Sequence, residues 1–301
     1  MEKRAVHHSK IILIAVIICA FLFIGLPFII FLFKDSTFGN VALIPISGTI
    51  TGDGGSYFGG STVASSDIVE YLQEANDDPA IQAIILQINS PGGSAVASDE
   101  IATAVKKIKK PVISVIHEAG ASGAYWIASA SSYIIANRMS ITGSIGVVSS
   151  YLEFSGLMEK YGVGYEQLTA GKYKDLGTPF RKLTFEEETV LQRKLDKIHD
   201  YFIKAVAANR HLSETKVREL ATGEFYLGSE ALDLGLIDKL GDSSTAEEHL
   251  KTRYNLTDFT YKTYQKKAGL LDILTGVFST FSFKIGEGIG SSLTQKRPSF
   301  T

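Results

Sequence analysis

Apolar positions in this chain follow three rhythms: one unbroken, one short and β-branched, one at helical spacing. Ile11 to Phe33 carries no charged side chain. At ~1.5 Å rise per residue that stretch spans roughly 35 Å, enough to cross a ~30 Å hydrocarbon core. Pro27 would kink it, which membrane helices tolerate. A cleaved signal peptide is the competing reading, but its apolar region would be shorter, and no small-x-small cleavage site closes this one. An uncleaved anchor is therefore expected. Beyond it, Val41–Ile46, Ile81–Ile88, Pro111–Ile116 and Tyr133–Ala136 read as strands. Helical spacing fills the gaps: Ile68, Tyr71 and Leu72 after a cap at Ser66 or Asp67, then Ile101, Val105 and Ile108. Strands alternating with helices predict an α/β fold of right-handed βαβ units with a largely parallel sheet.

The second half is less regular. Ile141 to Val148 reads as a glycine-rich turn entering a strand, 153–161 as helix and Gly164–Leu168 as extended chain. A polar loop runs from Thr169 to Phe180. Thr184 and Glu187 then form a capping box, and Leu191, Leu195, Ile198 and Phe202 share one face of a long helix, read as core. Shorter helices are expected at 214–220, within 228–242 and at 244–254. The glycine-rich run at 52–60 has no lysine or strand–helix setting for a phosphate loop, so it reads as a surface loop. From Gly269 an apolar tail begins, too short to span a bilayer. The expected domains are a basic N-terminus at 1–10, the anchor at 11–33, one α/β domain at 34–265 and an apolar, flexible tail at 266–301.

Composition narrows the function. The 301 residues are 45% hydrophobic and 21% charged with a net charge of −2, which gives no nucleic-acid footprint. Cys19 is the only cysteine, so no intrachain disulfide or cysteine metal site exists. Lys3, Arg4 and Lys10 precede the apolar span, which puts the N-terminus in the cytoplasm and the domain across the membrane.

Candidate chemistry centres on Gly120-Ala121-Ser122-Gly123. A serine on a strand-to-helix turn between small residues exposes its Oγ, and nearby N–H groups can hold an oxyanion. Tight packing explains the same residues equally well. A serine nucleophile also needs a base. His117 lies on the incoming strand, His199 and His211 on or beside the long helix. Only His249, after Asp233, Asp238 or Asp242, would give a serine–acid–histidine order. Lysine is the other option, through Lys172 or Lys174 in the glycine-flanked loop. A lysine base must fall from a pKa of ~10.4 to near neutrality, which burial can supply. A loop lysine is ordinarily solvated.

Four linked segments resemble the signal peptide peptidase A (SppA) family of serine–lysine membrane proteases in its short form. They are Asn89-Ser90-Pro91-Gly92-Gly93, Ala121-Ser122-Gly123-Ala124-Tyr125-Trp126-Ile127-Ala128, Thr142-Gly143-Ser144-Ile145-Gly146 and Gly171-Lys172-Tyr173-Lys174-Asp175; Ala231 to Asp238 matches as well. The resemblance covers roughly residues 40–255 and implies a crotonase/Clp-protease-like spiral of ββα units. It implies Ser122 as nucleophile, Lys174 as general base with Lys172 a bystander, and Ser144 as the serine that orients the lysine. It implies Gly92 or Gly93, with Gly123, as oxyanion hole. Ala124 stands where the family often has glycine. The implied activity is cleavage of signal-peptide remnants and other unstructured apolar peptides. No metal or cofactor is implied; the partners are peptide, membrane lipid through 11–33, and further copies in a homo-oligomeric ring. A serine–histidine hydrolase and a non-enzymatic membrane scaffold are the alternatives.

Overall fold

A computed structural model describes residues 14, 16–19, 21–25, 39–55 and 60–266. The chain divides into two units, Met1–Tyr264 and Gln265–Thr301. The second lies outside the described residues apart from Gln265 and Lys266, so the reading of the tail is untouched. Most of the expected anchor is outside them too. Its described part is helical at 14 and 16–19, with a π-helical turn at Phe21–Gly25. No helix among the described residues is long and apolar enough to cross a membrane.

The strands are β1 (Val41–Ser47), β2 (Thr49–Thr51), β3 (Thr62–Ala64), β4 (Ala83–Ser90), β5 (Val112–Ala121), β6 (Tyr133–Ala136), β7 (Ile141–Gly143), β8 (Phe225–Leu227), β9 (Lys239–Leu240) and β10 (Tyr261–Thr263). The helices are α1 (Ser65–Asp77), α2 (Ala95–Lys107), α3 (Gly123–Ser129), α4 (Ser155–Lys160), α5 (Phe185–Arg210), α6 (Glu214–Leu220), α7 (Gly228–Asp233) and α8 (Ser243–Tyr254). The main sheet runs β10-β1-β4-β5-β6-β9, all parallel. β7 extends it along the end of β5 and pairs antiparallel with β8. This parallel-dominated α/β arrangement fits a Clp-protease-like fold.

Both sheet faces are covered, which is why the strands read as near-continuous apolar runs. One face sends Ile44, Ile46, Leu86, Ile88 and Ile116 into a core with α1, α2, α3 and α5. The other sends Val41, Ile85, Ile113 and Val115 against Ala246 and Leu250 of α8. α3 is buried on every side, from Gly123 to Ser129, so it needs no amphipathic stripe. Burial pushes the Tyr125 phenol up, and its O–H donates to the Leu236 carbonyl at 2.8 Å.

Three expectations are corrected. The strand at Ile141 precedes the glycine turn, and 144–150 has no regular structure, because Gly143 and Ser144 turn left-handed at φ 71° and 50°. Gly164–Leu168 pairs with no strand. Leu191, Leu195 and Ile198 are only half-buried, with Phe202 the first fully enclosed member of that stripe, since Leu191 and Leu195 face an open groove with Tyr151 and Leu183.

Candidate active site

β5 is longer than its apolar run. After Ile116 it continues through His117-Glu118-Ala119-Gly120-Ala121, where Ala119–Ala121 pair with β7 instead of β6. On its other side the register shifts between Ile88 and Ser90, so that Ser90 faces Gly120. This bend delivers Ser122 to the head of α3.

Ser122 has φ 53° and ψ −124°, a backbone state that non-glycine residues adopt only under constraint. Its N–H donates to the Gly143 carbonyl at 2.8 Å, and its carbonyl accepts from Trp126 N–H at 3.0 Å. Its side chain makes no capping hydrogen bond, which leaves Oγ available for chemistry.

A cleft of about 560 Å³ opens over Ser122, walled by Gly93, Gly123, Trp126, Ser144, His199 and Phe202 among others. Trp126 stacks on Phe202 with ring centroids 4.6 Å apart. The three glycines separate by role. Gly92 is buried at φ +101°, and its N–H donates to Ser90 Oγ at 3.1 Å. The N–H groups of Gly93 and Gly123 are taken by no hydrogen bond among the described residues. A Cβ on Gly92 would lie 2.8 Å from Gly123 N and 2.8 Å from Ala121 O, so the two loops meet at glycine-only distance. The geometry thus favours Gly93 over Gly92 as the donor beside Gly123.

Ser144 shares the cleft. Its N–H donates to Glu224 O at 2.9 Å and its Oγ to Gly223 O at 3.2 Å.

Lys174 does not line the cleft. It lies in a long excursion, 146–186, in which no residue is buried. Leu168 and Phe185 there are 102% and 85% exposed. The neighbours of Lys174 are pinned to the first turn of α5. Lys172 Nζ donates to Glu186 at 2.6 Å, and Tyr173 O–H donates to the same carboxylate. Arg181 grips Asp175 and Glu187 with its guanidinium, at 2.6 Å to each from one nitrogen. Arg181 and the Thr184 N–H hold the Glu187 carboxyl down to about 2. Among the described residues Lys174 Nζ has no hydrogen-bond or ion-pair partner, so the loop is anchored and its middle lysine is left over.

The histidine alternatives disperse. His249 stacks on Tyr133 at 3.7 Å on the α8 side, where burial lowers its pKa. His117 lines a different cavity, with Asn89 and Asp242. His199, which no local pattern singles out, is the histidine that lines the cleft; it sits three residues before Phe202 on the same helix face.

A strained serine with a free Oγ, beside two unclaimed N–H groups in an open cleft, is an arrangement suited to a hydrolase of the serine-nucleophile kind. The family model for peptidase family S49 matches residues 104–257. A protein of Methanocaldococcus jannaschii assigned as a protease is 35% identical over 75% of this chain and 72% of its own. One of Enterococcus faecium, assigned as signal peptide peptidase SppA, is 35% identical over 75% of this chain and 67% of its own. Protease 4 of Haemophilus influenzae is 37% identical over 69% of this chain and 34% of its own. The chain belongs to peptidase family S49 and is a protease of the SppA type.

Proposed function

We propose that Ser122 is the nucleophile and Lys174 the general base of a membrane-tethered peptidase acting on unstructured apolar peptides, with the lysine supplied by a neighbouring copy. The observation that carries this is the division of labour within one chain. α5 touches the Ser144 turn through His199 and holds the lysine loop through Glu186 and Glu187. Thirteen residues at ~1.5 Å rise put those two points roughly 20 Å apart. A lysine side chain is far shorter than that. The exposed apolar surface of 146–186 is the kind that a second copy covers, which supports a ring.

Neutral Lys174 takes the Ser122 Oγ proton, and Oγ adds to the peptide carbonyl carbon. The oxyanion rests on the N–H groups of Gly93 and Gly123. Collapse breaks the C–N bond, and the Lys174 ammonium protonates the leaving amine. Lys174 then deprotonates a water, which adds to the acyl-enzyme; Ser122 leaves and recovers its proton. Ser144 Oγ gives its own hydrogen to Gly223 O, so its lone pairs can accept from Lys174 Nζ–H and aim the amine lone pair at Ser122. The Trp126–Phe202 wall favours apolar side chains, and Ile11 to Phe33 would hold the site at the bilayer, across from the cytoplasm.

The test is complementation. Ser122→Ala and Lys174→Met are each expected to be inactive on an apolar peptide. Dissociated, mixed and reassembled at equal amounts, they should regain about a quarter of wild-type activity, because that share of sites pairs an intact serine with an intact lysine. Activity in Lys174→Met alone would place the base elsewhere. No recovery in a mixture shown to co-assemble would place it within the same chain. Wild-type silence on a broad peptide set would favour the scaffold.

A further inference from the structure

Ser144 sits in an uncomfortable turn, and its surroundings must hold it there. Gly143 and Ser144 are successive left-handed residues, the second without glycine's freedom. Three of the restraining bonds come from the exposed backbone of Gly223 and Glu224: Ser144 N–H to Glu224 O, Ser144 Oγ to Gly223 O, and Gly223 N–H to Ile145 O at 3.2 Å. A fourth comes from elsewhere. His199 Nε2 lies 3.2 Å from the same Ile145 carbonyl. Among the described residues it is the one side chain from another element that hydrogen-bonds to the backbone of 143–146.

We propose that His199 is a positioning residue that fixes Ser144 in the active-site cleft. A carbonyl only accepts, so the bond requires a proton on Nε2. Ile145 is fully buried, which leaves its carbonyl little freedom to turn away. One turn further along α5, Phe202 stacks on Trp126, whose N–H bonds to the Ser122 carbonyl. A single stretch of helix therefore braces both serine turns and sets the spacing between them. The inference rests on the reading of Ser144 as the residue that aims the lysine.

The experiment is a double-mutant cycle on peptide cleavage with His199→Leu, His199→Gln and Ser144→Ala. Leucine removes the donor, and kcat is expected to fall about tenfold with KM within about twofold. Glutamine places an amide N–H near the position of Nε2 and should recover kcat to within about threefold. In a Ser144→Ala background the leucine change should cost almost nothing more. If the leucine variant does not fold, glutamine against asparagine decides instead, because asparagine's amide falls short and should be the impaired one. Wild-type kcat in His199→Leu, no recovery by glutamine, a change in KM alone, or full additivity with an impaired Ser144→Ala each overturns the positioning role. Wild-type kcat in Ser144→Ala overturns the serine's role first and this inference with it, which separates the two failures.

Discussion

Gly93→Ala probes the oxyanion site through backbone geometry alone. A Cβ on Gly93 would lie 2.0 Å from the oxygen and 2.7 Å from the nitrogen of Ile50. Both atoms are already committed: Ile50 N–H donates to Gly92 O at 2.9 Å, and Ile50 O accepts from Ser94 N–H at 2.8 Å. Comfortable contact needs about 3.5 Å, so the two segments must part by roughly 1.5 Å. That takes the Gly93 N–H out of reach of a carbonyl oxygen over Ser122. Losing one oxyanion donor costs about 10²–10³ in kcat, or about 2.7–4 kcal/mol of transition-state binding. The strained bridge should also cost about 1–3 kcal/mol of stability. Gly52→Ala is the control, since nothing lies within 4 Å of its Cβ. Steady-state cleavage of an apolar peptide reads kcat and KM, and thermal unfolding separates misfolding from lost catalysis. A folded Gly93→Ala enzyme with kcat within about threefold of wild type refutes the assignment.

Arg181→Met should loosen the lysine loop, lowering kcat and covalent labelling of Ser122 together while KM changes little; a change in KM alone would mean the cleft itself was altered. The same ion pair has an acid limit. Glu187 is depressed in the folded state from 4.5 to about 2, so its contribution is present above its unfolded pKa and is lost as pH falls from about 4.5 toward 2. Amide protection in the first turn of α5 should follow that window in wild type and be weaker above it in Arg181→Met; indistinguishable profiles would exclude the clamp. Phe202→Ala removes a 2%-exposed ring stacked on Trp126 and should cost about 3–5 kcal/mol in denaturant titration, a cost under about 1 kcal/mol being contrary. His249→Ala should leave peptide cleavage unchanged, because its ring packs on Tyr133; an inactive, folded variant would restore the histidine base.

Sequence periodicity served well where burial is symmetrical. Tyr133–Ala136 is a strand as read, and the Thr184–Glu187 capping box starts α5 where the pattern put it. It failed where the backbone bends. The apolar run ends at Ile116, and the strand leading in through His117 keeps going to Ala121 because pairing to β7 carries β5 on to Ser122. The cap expected at Ser66 or Asp67 is instead Ala64, which has no side-chain cap, because α1 already begins at Ser65, whose Oγ donates to Glu100 at 2.6 Å. The motif residues were legible, but their distribution was not. No local pattern tells that Gly92 N–H is consumed by Ser90, that Lys174 does not line the cleft over Ser122, or that His199 reaches Ile145 from 54 residues away. Those are facts of tertiary placement.

With a base supplied by a neighbouring copy, as proposed above, α5 would act as a lever between subunits. Under the proposed reading, its far end carries a neighbour's base, roughly 20 Å from the point where it grips its own chain. A tilt of about 3° over that length moves the tip by about 1 Å, and a misplacement of 1 Å can cost about 10²-fold in rate. A lone subunit then holds a nucleophile without a base and is harmless to the proteins around it. Assembly itself becomes the activation step, and a newly made chain needs no pro-segment to keep it quiet. Dilution, or any ligand that skews the packing of one copy against the next, would act as an off-switch without touching a catalytic atom.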